Sequence, residues 1–67
     1  MGAEPVLLAW ADSRAHVGVG HAVRSFALAQ AWADHGGRAV LVVPELTATV
    51  RALTEDPGVE RRVIPVA

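Results

Sequence analysis

Apolar and polar positions alternate along this chain in blocks. VLLAW, residues 6 to 10, is an apolar run behind Pro5. It is too brief for a helix and predicts a strand buried on both faces. ADSRAHVGVG, residues 11 to 20, is polar and carries two glycines. It predicts a loop of about ten residues where α/β connections usually take about 2–6. From His21 to about His35 the residues are strong helix formers, and Gly36-Gly37 supplies a stop. RAVLVV, residues 38 to 43, predicts a second buried strand closed by Pro44. Leu46, Val50 and Leu53 stand at i, i+4 and i+7, one apolar stripe of a short second helix. Glu55-Asp56-Pro57-Gly58 is turn chemistry, and VERRVIPV, residues 59 to 66, predicts a third strand with Pro65 near its end.

The order β-α-β-α-β implies an α/β fold with a parallel sheet and right-handed crossovers. The first helix has Phe26 and Ala29 on one side, and Leu28 and Trp32 on another. A helix apolar around most of its girth expects neighbours beyond one three-stranded sheet. Trp10 and Trp32 are expected in the core. Three strands and two helices are half of a doubly wound domain, so the whole chain, residues 1 to 67, is expected to be a fragment of a longer protein. No linker or repeat divides it.

Composition narrows the chemistry. A chain of 67 residues buries only about 60% of its extended surface, and 13 of these residues are Ala. There is no Cys, which removes disulfides, thiolate nucleophiles and Cys-zinc sites. All six basic residues are Arg, so no P-loop or Schiff-base lysine is present. A net charge of −1 provides no footprint for nucleic acid. The apolar run at residues 6 to 11 is far short of the roughly 20 residues that span a bilayer, and the N-terminus has no basic n-region. Cytoplasm is the default location.

The candidate chemistry lies between the first strand and the first helix. In a parallel sheet, ligands bind outside the carboxyl ends of the strands, against the following helix N-termini. Gly18, Gly20 and His21 fall there. Glycine permits positive φ and close approach of a ligand to the backbone, and the free N–H groups of a helix start favour an anion such as phosphate. That field disfavours imidazolium, which favours a neutral His21 able to act as a general base. Arg24, three residues on, shares a helical face with His21 and could hold a phosphate or pair with Asp12. Each also has a plainer reading: a tight turn for the glycines, a polar helix start for His21, and a surface ion pair for Arg24. His35, beside Gly36, is expected to cap the helix C-terminus. His16 and His21 fit no metal-ligand spacing. Glu45 occupies the place of a ribose-binding acid, but Gly18-Val19-Gly20-His21-Ala22-Val23 has Val where the dinucleotide fingerprint needs its third Gly.

Residues 10 to 44, WADSRAHVGVGHAVRSFALAQAWADHGGRAVLVVP, resemble the opening of the UDP-sugar hydrolases of pseudaminic acid biosynthesis. These enzymes are relatives of the MurG-type glycosyltransferases and share their two-domain GT-B fold. The resemblance rests on Asp12, Gly18, Gly20, His21, Arg24 and the Phe26-Ala27-Leu28-Ala29 run, within residues 6 to 44. It implies a partial N-terminal Rossmann-like domain, with a C-terminal domain that holds most of the nucleotide still to be supplied. It implies His21 as the base that activates water for attack at the anomeric carbon, releasing UDP. Asp12, Gly18, Gly20 and Arg24 would line the site of the nucleotide-sugar substrate, with no cofactor and no metal. The family usually carries an Arg two residues before the Asp, where this chain has Trp10. A glycosyltransferase with a sugar or lipid acceptor is the alternative enzyme, and a non-catalytic, truncated α/β remnant is the alternative from another class.

Overall fold

A computed structural model of the chain describes residues 5–14 and 19–65. The elements run β1 (Val6–Trp10), α1 (Gly20–Asp34), β2 (Arg38–Val43), α2 (Ala48–Leu53) and β3 (Val59–Val63). The three strands form one parallel sheet in the order β1-β2-β3, with Val6 opposite Arg38 and Ala39 opposite Val59. This is the predicted β-α-β-α-β arrangement, compatible with half of a Rossmann-like sheet. No helix among the described residues is long and apolar enough to cross a membrane.

Strand β2 lies in the middle because its sequence can be buried from every side. Five of its six residues are β-branched or small or leucine, and all but Arg38 are buried. The pleat sends Ala39, Leu41 and Val43 towards the helices, where they join Ala22, Phe26 and Ala29 of α1, Val50 of α2 and Val59 of β3. Ala22, Phe26 and Ala29 are spaced by four and three residues, so one stripe of α1 meets the sheet. Two alanines in that stripe let the helix backbone come close, and both helices share this one face.

Local signals set the helix ends. Helix α1 stops in a Schellman arrangement: Gly36 N–H donates to Ala33 O at 3.0 Å and Gly37 N–H to Trp32 O at 3.2 Å. Gly36 sits at φ +89°, a conformation that costs L side chains energy and glycine little. His35 caps this end as expected, its ring Nδ1–H donating to Ala31 O at 2.8 Å. The Thr47 hydroxyl caps the start of α2 by accepting Val50 N–H at 3.2 Å. Arg61 closes the other end, donating to Arg51 O at 3.0 Å. Gln30 Nε2 donates to Asp56 Oδ2 at 2.9 Å and ties α1 to the turn before β3.

Two sequence expectations are corrected. Strand β1 is not buried on both faces: Val6, Leu8 and Trp10 are 53%, 68% and 56% exposed. The cause is the strand order, which leaves β1 at an edge while both helices cover the opposite face. Trp10 therefore lies outside the core. Trp32 is also exposed at the margin, where its indole N–H donates to Pro5 O at 3.3 Å and its ring covers Gly37. Leu28, on the outward side of α1, is exposed too. The boundaries shift slightly as well. α1 begins one residue early, at Gly20, and β3 ends at Val63, where Ile64 makes one last bond to Val43 O at 2.9 Å.

Candidate functional site

Parallel pairing brings the carboxyl ends of β1 and β2 to the same edge of the sheet, and the segments leaving them meet there. Ala11 continues the ladder, donating to Val42 O at 3.0 Å. Two residues later the buried Ser13 hydroxyl donates to the Glu45 carbonyl and lies 3.4 Å from the Glu45 N–H. This latch fastens the segment after β1 to the segment after β2 across 32 residues of sequence. Nothing in the hydropathy pattern marked Ser13. Its signal is positional: a small hydroxyl at the third residue past a strand end, where two loops converge.

Asp12 precedes the latch and is half-buried. Its carboxylate accepts from Arg14 three times, from the backbone N–H at 3.0 Å, Nε at 2.9 Å and Nη2 at 2.6 Å. The backbone bond is an Asx turn that shapes the loop, and the side-chain pair is a two-pronged ion pair. Hydrogen bonding to Asp12 first, and its charge second, hold the Arg14 guanidinium still higher than its ordinary value. Arg14 was not among the sequence candidates. A basic residue two places after an aspartate in a loop is the pattern that could have found it.

Helix α1 starts at the same edge. Its N-cap is Val19, which provides no side-chain acceptor for the first turn, while Val23 N–H closes onto Val19 O at 3.0 Å. The first turn carries no acidic residue, and Val19 provides no side-chain cap for its backbone N–H groups at the positive end of the helix. Gly20 and His21 are the first two helical residues, and both are exposed. Gly20 does not use a positive φ. The Arg24 guanidinium folds back over it, with Nη1 3.6 Å from where a Cβ would stand. The structure therefore joins Gly20, His21 and Arg24 at the first turn of α1, and places Asp12 with Arg14 just beyond β1. Gly18 and His16 lie outside the described residues.

Glu45 is exposed at the start of the β2–α2 connection, and Ser13 binds its backbone groups. Among the described residues, no group of three or more His, Asp or Glu side chains could hold a metal ion. No known protein family, curated protein or solved structure matches this chain. The class defined by this structure is a three-stranded parallel α/β unit whose connections after β1 and β2 are fastened together at one edge of the sheet.

Proposed function

We propose that this chain forms the N-terminal side of a nucleotide-sugar cleft, as part of a UDP-sugar hydrolase of the two-domain GT-B type. The observation that carries the reading is the exposed His21 on the first turn of α1, whose N-cap residue Val19 offers no side-chain acceptor, with Arg24 one turn behind it. A helix start of this kind attracts an anionic ligand such as a phosphate. In the reaction, water attacks the anomeric carbon, the bond to UDP breaks with its electron pair leaving on the phosphate, and His21 accepts the proton of the water. Arg24 supplies positive charge beside the leaving group. Asp12, held by Arg14, accepts hydrogen bonds from sugar hydroxyls, and Gly18 and Gly20 border the sugar. The nucleotide is held mostly by a second α/β domain.

The test is UDP-sugar turnover by a protein that contains this segment together with that second domain. His21→Ala should reduce turnover by about a hundredfold or more. Thermal unfolding should stay nearly unchanged, because the side chain is exposed. Free sugar formed with no acceptor present supports hydrolysis. Sugar release that requires an acceptor assigns the alternative, a glycosyltransferase. Full activity in a folded His21→Ala protein refutes the role of His21 and favours a non-catalytic unit.

A further inference from the structure

The ladder between β1 and β2 ends for a reason written in the sequence. Rungs of a parallel pair recur evenly along the strands, and here Arg38 N–H donates to Pro5 O at one end and Ala11 N–H to Val42 O at the other. In that series the Ala11 carbonyl would next accept from residue 44, which is proline and has no N–H. The backbone connection therefore stops, and a side chain takes it over. The Ser13 hydroxyl donates to Glu45 O and lies 3.4 Å from Glu45 N–H, one residue beyond the proline.

We propose that Ser13 is a positioning residue of the cleft, whose latch to Glu45 fixes the place of the sugar-binding Asp12 carboxylate. The proposal rests on the reading of the site given above. Asp12 is bracketed by two ties to the β2 side: its neighbour Ala11 is bound to Val42 and its neighbour Ser13 to Glu45. Both neighbours are buried, at 3% and 2% exposure, so neither can swing outward without breaking its tie. Asp12, less buried between them, in turn orders Arg14 through the Asx turn and the two-pronged ion pair. Besides its hydrogen bonds to Asp12 and the charge of Asp12, the Arg14 guanidinium also feels the charge of Glu45, more weakly. The two connections thus face each other through side chains as well as backbone. Buried and engaged, the Ser13 hydroxyl is neither a nucleophile nor a substrate contact. It acts through Asp12, while His21 stands on a separate element, α1.

Two measurements test the assignment, and the first needs no turnover. In Ser13→Ala, nitrogen relaxation of the full chain should show the Asp12 and Arg14 amides falling from the rigid range, an order parameter of about 0.85, to below about 0.6. The β2 amides should stay rigid. Ser13→Cys, which fills the space but donates weakly, serves the comparison if the β2 amides show the Ala variant to be unfolded. Unchanged order at Asp12 and Arg14 overturns the proposal, whatever the activity.

The second is UDP-sugar turnover by the protein that also contains the second domain. Ser13→Ala should raise KM by about fivefold or more and change kcat by less than about twofold, the mark of a lost binding contact. Partial unfolding alone would do the reverse, lowering kcat through the active fraction and leaving KM in place. With Asp12→Ala already present, Ser13→Ala should raise KM no further; an additional rise overturns the route through Asp12. An unchanged KM in Ser13→Ala, in a protein that His21→Ala inactivates, overturns the positioning role and leaves the reading of the site standing. No turnover by the unmodified protein refutes that reading, and this proposal with it.

Discussion

Leu41 and Leu8 stand in two apolar strands that read alike in sequence, and the structure separates them. Leu41 is fully buried in the central strand, surrounded by the helix-facing core, whereas Leu8 is 68% exposed on the edge strand. Leu→Ala at a buried site removes transfer free energy and leaves a cavity, at a cost of about 2–5 kcal/mol. The neighbours of Leu41 include Ala22, Ala29 and Ala39, whose short side chains cannot extend to fill the gap. A value near the middle, about 3 kcal/mol, is therefore expected. Leu8→Ala should cost less than about 0.5 kcal/mol in the monomer. Urea unfolding at low protein concentration, followed by circular dichroism, reads both. With a slope of about 1 kcal/mol per molar for a chain this small, the Leu41 change moves the midpoint by roughly 3 M. Total stability at this length is only about 3–10 kcal/mol. Leu41→Val, costing about 1 kcal/mol, keeps the comparison measurable if the Ala variant is unfolded. Equal costs at Leu41 and Leu8 would refute the reasoning, because they would mean that the open face of β1 is covered.

Two other perturbations test how the loops and the turn are held. Ser13→Ala removes the hydroxyl that bridges to the Glu45 backbone, and should cost about 1–3 kcal/mol in the same urea assay; no loss would mean that the latch is dispensable. Folding should also weaken in acid. Gln30, and then the Gly58 N–H, hold the Asp56 carboxyl below its ordinary value, and Arg38, then Arg62, do the same for Glu60. Carboxyls depressed in the folded state stabilise it above their unfolded values, near about 4. That contribution disappears as pH falls through the lower folded values. Melting temperature should therefore drop below about pH 4, and the drop should be shallower in Glu60→Gln, because one of the two groups no longer titrates. An identical pH profile in that variant would exclude Glu60 as a contributor.

Much of the local architecture was legible in the chain. The run RAVLVV could only be a buried strand, Gly36-Gly37 marked the end of α1 at the point where a positive φ is needed, and the 22-26-29 spacing produced the buried stripe of the helix. Of the candidate site, the position of Gly20, His21 and Arg24 at a helix start after the first strand was legible for the same reason: helix propensity and glycine are local properties. The Asp12–Arg14 pair and the Ser13–Glu45 latch were not. The first depends on one of several possible partners for Asp12, and the second joins residues 32 apart in sequence.

The fate of the aromatic and apolar side chains was likewise beyond local reading. VLLAW and RAVLVV are both apolar strands, and hydropathy predicts burial for each. Which of them is buried along its length follows from strand order, which flanks β2 with a strand on either side, and from the placement of both helices on one face, and these are settled by pairing across the whole chain. The amino-acid sequence by itself determined the identity and order of the elements, because periodicity, capping and turn chemistry act over a few residues. Only the tertiary structure decided that β2 is central and β1 an edge, with Trp10 exposed, because burial depends on which neighbours the sheet provides.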